Sequence, residues 1–81
     1  MRIDKFLKVS RIIKRRTVAN DACDAARISV NGRPVKASYN VKENDVVEVG
    51  FGSRVLKVRV LSVKETVGKA DAAGLYEVIE E

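Results

Sequence analysis

Arg2-Ile3-Asp4-Lys5-Phe6-Leu7-Lys8-Val9-Ser10-Arg11-Ile12-Ile13-Lys14-Arg15-Arg16-Thr17 is the stretch on which the reading of the whole chain turns. A basic residue stands at every third position, Arg2, Lys5, Lys8, Arg11 and Lys14, and Arg15 and Arg16 follow at once. Between these charges Ile3, Phe6, Leu7, Ser10 and Ile13 repeat with the period of a helix that buries one face. At about 100° per residue they fall within an arc of about 120°. The charges drift by about 60° at each step and so form a broad slanting band. Asp4 precedes Lys8 by four positions, the favourable order for a helix ion pair, and suits the positive end of the helix dipole. A cationic outer surface over an apolar face is the electrostatic footprint of a protein that grips phosphate backbones.

Lys14, Arg15 and Arg16 predict a short link, with Thr17 as the N-cap of a second helix over about residues 18–26. Asn20 stands where Glu or Gln would complete a capping box. Val18, Ala22, Ala25 and Ala26 are expected to form its closely packing face. Cys23 reads as a small buried residue of that helix rather than a nucleophile. From Arg27 the pattern becomes extended. Ile28-Ser29-Val30 leads into Asn31-Gly32, a strong hairpin signal, and Arg33 to Lys36 returns from it. Pro34 cannot donate to a ladder and belongs on an edge. Val46 to Val49 predicts a further strand, Gly50-Phe51-Gly52-Ser53 a hairpin connection, and Arg54 to Lys64 a half-buried strand of period two. Residues 66–73 predict a loop and Leu75 to Ile79 a last strand. Two helices followed by four to five short, mainly antiparallel strands make one α+β domain. Residues 1–64 are expected to form its body, and residues 65–81 add a C-terminal loop and the last strand.

The inventory of the 81 residues excludes several classes of function. Histidine is absent and cysteine occurs once. The commonest general base and the commonest neutral metal ligand are therefore missing, and no intrachain disulfide is possible. No catalytic residue, metal site or cofactor is expected. No apolar run approaches the roughly 20 residues of a membrane span, and the start of the chain lacks a signal-peptide core. A soluble, cytoplasmic monomer is the expectation. The net charge of +5 is unevenly placed. Residues 1–42 hold eleven Lys/Arg against three acids, and residues 43–81 hold five against eight. That segregation points to one polyanion-binding face.

Three elements in this order, Arg2-Ile3-Asp4-Lys5-Phe6-Leu7, Lys14-Arg15-Arg16-Thr17 and Ile28-Ser29-Val30-Asn31-Gly32-Arg33, resemble the S4-type RNA-binding domain, or αL motif. The resemblance implies a core motif at about 1–48 within an RNA-binding domain over 1–64. In that family the turn before the third strand is often Lys-Pro-Gly-Asp. Here it is Lys42-Glu43-Asn44-Asp45, where Asn44 tolerates the left-handed conformation in place of Gly. A chain of this length is similar to the stand-alone, heat-shock-type, ribosome-associated members, and Lys36-Ala37-Ser38 and Leu75-Tyr76 add to that likeness. The resemblance implies binding to large-subunit rRNA and to peptidyl-tRNA on obstructed large ribosomal subunits. It further implies a partner protein that delivers alanyl-tRNA for alanine tailing of stalled nascent chains. Ribosome assembly or translational regulation through structured rRNA is the alternative. A DNA adaptor or a catalyst fits the residues less well.

The candidate contacts follow from charge and position. Arg2 opens the helix where it can reach outward and is read as a contact rather than a solvated charge. Lys5, Lys8 and Arg11 share a surface and are read as phosphate contacts, each of these three on its own no more telling than a solvated charge. Arg16 is expected to matter most, supported by Lys14, Arg15 and Thr17, because a guanidinium fork matches phosphate beside free helix N–H groups. Asp4 is expected to orient basic side chains. Asn31, Arg33 and Lys36 are secondary candidates, since in the family their loop approaches RNA. The aromatics Phe6, Tyr39, Phe51 and Tyr76 are scattered, so recognition should rest on RNA shape and backbone rather than base stacking.

Overall fold

A computed structural model describes residues 1–64 and 72–79. The opening period becomes α1, Ile3–Val9, whose Ile3, Phe6 and Leu7 are fully buried. The helix is shorter than its hydrophobic pattern. Arg11 adopts φ +63°, a left-handed conformation that ends the helix, with its N–H closing on the Lys8 carbonyl. Ser10 is buried and donates its hydroxyl to the Leu7 carbonyl. Ile13 is buried as its spacing predicts, but the turn carries it there, not the helix.

The second helix, α2, spans Arg16–Asp24 and starts two residues before the predicted position. Arg15, not Thr17, is its N-cap, and no side chain caps the helix. The packing face is also corrected. Ala19 and Cys23 are buried, whereas Val18, Ala25 and Ala26 are exposed. Four-residue spacing sets Ala19 and Cys23 on one stripe, where small side chains admit α1 closely. Ala26 at φ +57° ends α2, its N–H bonded to Cys23 and that of Arg27 to Ala22, as in a Schellman cap.

The remaining elements are β1 (Ile28–Val30), β2 (Arg33–Pro34), β3 (Val46–Phe51), β4 (Arg54–Val60), a 3-10 turn (Ala72–Leu75) and β5 (Tyr76–Val78). They form one antiparallel sheet in the order β2-β1-β3-β4-β5. Asn31 and Gly32, both at positive φ, make the expected turn between β1 and β2, and Pro34 lies on the outer strand. Asn44, at φ +75°, occupies the left-handed position predicted for it. Period two holds in β3 and β4, where Val47 pairs with Val58 on the buried face. β4 stops at Val60, short of the predicted Lys64, and Phe51 belongs to β3, leaving Gly52-Ser53 as the turn. Most of the predicted loop at 66–73 lies outside the described residues.

A single apolar cluster joins Ile3, Phe6 and Leu7 of α1 and Ala19 and Cys23 of α2 to the inward valines of the sheet. Burial pushes the Cys23 thiol up to about 11, helped by the charges of Asp4 and Asp24, which leaves it inert at neutral pH. The segment 37–41 completes the fold around the chain start. Ile3 and Asp4 donate their N–H groups to the carbonyls of Tyr39 and Ala37, and Val41 donates to Met1. Backbone thus satisfies the first turn of α1, which explains how Arg2 precedes it without a side-chain cap.

Candidate nucleic-acid interface

The centre of the basic surface is an acid. Asp4 is only 2% exposed at the start of α1, and it is held by four groups. Its carboxylate accepts the Lys5 N–H at 2.7 Å, Arg2 at 3.2 Å and the Asn20 amide at 3.4 Å, and meets Nε of Arg16 at 3.5 Å. Burial alone would raise its pKa. The Lys5 N–H, Asn20 and Arg16 outweigh that and hold it below the ordinary value. The expected ion pair to Lys8 does not form; Asp4 turns to Arg2 and Arg16. Both guanidinium groups remain about half exposed. A buried, ionised carboxylate thus draws two cations from different elements together and leaves their outer faces to solvent.

These residues, with Thr17 and Asp21, surround a shallow cleft of about 360 Å³. Thr17 lies in the first turn of α2, so its hydroxyl is available to a ligand rather than tied up as a cap. Asp21 puts one acid on the rim, which opposes phosphate there and narrows the cationic part to the Arg2–Arg16 side. A second hollow, of about 300 Å³, is lined by Lys8, Val9, Arg11 and Lys14. The left-handed turn at Arg11 produces it, bending the chain so that Arg11 and Lys14 face Lys8 across the end of α1. Together the two hollows gather Arg2, Lys8, Arg11, Lys14, Arg16 and Thr17 of the predicted set. Arg15 is exposed at the head of α2, and Lys5 is half-buried on α1.

The secondary candidates separate. Lys36 is exposed just ahead of Ala37, whose carbonyl accepts the Asp4 N–H, so its backbone lies beside the first cleft. Arg33 is exposed on β2 at the far edge of the sheet. Asn31 is already engaged: its amide donates to Asp45 at 3.2 Å and its oxygen accepts the Val46 N–H at 3.0 Å. Asp45 also accepts the Tyr39 hydroxyl at 3.1 Å and the Lys42 N–H at 3.0 Å. Sequence reasoning missed Asn20, Tyr39 and Asp45. Asn20 lies one helical turn after Arg16, on the same stripe of α2, but nothing local places that stripe opposite Asp4.

Comparison with known proteins places the chain in a family. The model of the S4 domain matches residues 1–47. The chain is 57% identical over all 81 residues to the RQC P-site tRNA stabilizing factor of Streptococcus pneumoniae, covering 92% of that protein. It is 49% identical over its full length to the factor of the same name from Bacillus subtilis, covering 94% of it. In fold it is similar to heat shock protein 15 of Vibrio cholerae, solved as a trimer, with a TM-score of 0.89 at 22% identity over 98% of this chain and 81% of that one.

Proposed function

Because the chain belongs to the S4 domain family, and within it to the RQC P-site tRNA stabilizing factors, we propose that it is a non-enzymatic, ribosome-associated RNA-binding protein. Its targets are rRNA and peptidyl-tRNA on obstructed large ribosomal subunits. There it steadies the tRNA while a partner protein delivers alanyl-tRNA, and so supports C-terminal alanine tailing of the stalled chain. It works in the cytoplasm as a monomer.

The observation that carries this reading is the Asp4-centred pairing of Arg2 and Arg16. A free arginine on a short helix samples many rotamers, and ordering it on binding costs affinity. Asp4 removes part of that freedom beforehand. It engages Nε of Arg16, so the two terminal nitrogens of that guanidinium are left to meet phosphate as a fork. Lys8, Arg11 and Lys14 then extend the contact along a second run of backbone. Two cationic hollows at opposite ends of α1 suit a protein wedged between two RNA segments. Arginine or lysine lines each hollow, and neither holds an aromatic side chain among its described lining residues, so the grip is for shape and charge.

Sequencing the RNA crosslinked to the protein in cells tests the proposal. Large-subunit rRNA together with a broad set of tRNAs is expected. Precursor rRNA without tRNA would shift the function to subunit assembly, and mRNA or DNA alone would exclude both.

A further inference from the structure

The apolar interior does not close at the hairpin end of the sheet. Strand alternation sets Val47, Val49 and Phe51 on one face of β3. Val47 and Val49 are buried, yet Phe51 is 46% exposed. Opposite it α2 presents Val18, 48% exposed. Between them lies a hollow of about 280 Å³ with Ile13 and Val49 deep in it and Ile12 and Ala22 at its sides. Lys14 and Arg27 also line it. A second hollow, of about 360 Å³, continues past Phe51 along Arg54 and Leu56, which pair with Phe51 and Val49 and share their face, to the hairpin edge at Val55.

Two properties of this surface identify what it fits. The apolar part is mostly aliphatic and concave, which rewards burial of partner side chains and offers phosphate nothing. Among the described residues the charged part is of one sign: Lys14, Arg27 and Arg54 line the two hollows, and no acidic residue does. A second copy of this chain would bring the same cations against them. RNA would satisfy the cations and waste the aliphatic floor. We propose that this face docks an acidic, amphipathic helix of a partner protein. Apolar side chains one turn apart enter beside Phe51, and flanking carboxylates meet Arg27 and Arg54. The surface lies apart from the Arg2–Arg16 cleft, so the docked protein and the RNA engage different residues, Lys14 alone standing near both.

Replacing Phe51 with photoreactive benzoylphenylalanine in the full chain, crosslinking in cells and mapping the attached peptide by mass spectrometry tests this. The expected adduct is one recurrent acidic, amphipathic helical segment of another protein. It is expected to disappear in the double variant Arg27→Glu, Arg54→Glu, which alters exposed side chains and should melt like the parent chain. Adducts to RNA, to lipid or to a second copy, or a scatter of unrelated peptides, would overturn the proposal. So would an adduct that survives charge reversal. RNA recovered by crosslinking at the Arg2–Arg16 cleft reports on the RNA-binding reading separately, so failure of one leaves the other standing.

Discussion

Asp4 of α1 meets Arg16 of α2 at 3.5 Å, with the carboxylate buried and the guanidinium half exposed. Burial is thus unequal across the pair. The acid is the fixed member, packed among core side chains and held by the Lys5 N–H; the base is the member that solvent, or a ligand, can reach. An exposed ion pair contributes little to stability. A buried, hydrogen-bonded acid that positions exposed bases contributes to the fold and also to binding, through geometry prepared before the ligand arrives.

Asp4→Asn separates the two contributions. It keeps the shape and loses the charge that holds Arg2 and Arg16. At neutral pH it is expected to destabilise the fold by about 1–3 kcal/mol, the range for a buried charge-assisted bond. Large-subunit affinity should fall on the order of tenfold, about 1.4 kcal/mol, as both guanidinium groups regain freedom. The pH dependence has a definite sign. The folded-state pKa of Asp4 lies below the ordinary 3.8, so its contribution is fully present above that value and is lost as pH falls through the folded value. Melting curves of the parent and Asp4→Asn should converge in strong acid. A gap that persists unchanged there would remove Asp4 ionisation as its source.

Arg16→Ala is expected to fold normally and to lose co-sedimentation with large subunits. Arg16→Lys keeps the charge but not the fork, and should restore binding only in part. In salt titrations Arg16→Ala should lower the slope of log affinity against log salt by about one, the signature of one lost phosphate contact. An unchanged slope would take Arg16 out of the interface.

Arg15 breaks a local rule. It is the N-cap of α2, a place that favours Ser, Thr, Asp or Asn, and it makes no capping bond. Such conflicts concentrate at functional sites, where stability is exchanged for activity. Arg15→Ser is therefore expected to stabilise the protein by about 1 kcal/mol while weakening RNA binding. Thermal melting and a filter-binding titration on the same sample check both halves. Gain of stability with full affinity would show that Arg15 contacts nothing.

The elements that local pattern controls were legible in the sequence. The Asn31-Gly32 turn, the left-handed Asn44, the edge position of Pro34 and the burial of Ile3, Phe6 and Leu7 each follow from residue type and period. The ends of the helices were not. Arg11 and Ala26 occupy left-handed positions where glycine is usual, so no residue announces where α1 and α2 stop. Thr17 has a side chain that suits a cap, but tertiary packing starts α2 at Arg16. The basic residues of the site could be named in advance. Their division into two hollows could not, because it depends on the turn at Arg11 and on Asp4 reaching across to α2.

Asp45 lies outside both hollows yet bears on the first. Its carboxylate accepts the Tyr39 hydroxyl, the Asn31 amide and the Lys42 N–H, so it ties the β1–β2 turn to the segment 37–41. That segment caps α1: the carbonyls of Ala37 and Tyr39 accept the N–H groups of Asp4 and Ile3. Tyr39→Phe removes one hydrogen bond and should cost about 1 kcal/mol; Asp45→Ala removes three, from the Tyr39 hydroxyl, the Asn31 amide and the Lys42 N–H, and should cost about 2–3 kcal/mol. Burial, then the bond and charge of Asp45, raise the Tyr39 pKa above its ordinary 10.0. The phenol's contribution is therefore present below pH 10 and is lost as pH rises through the folded value, an alkaline loss that Tyr39→Phe abolishes. If the segment is what holds the Asp4 end of α1, both variants must speed hydrogen exchange at the amides of Ile3 and Asp4, as well as at Lys42. Exchange that quickens at Lys42 alone would confine Asp45 to its own turn and leave the positioning of Asp4 to α1 and α2.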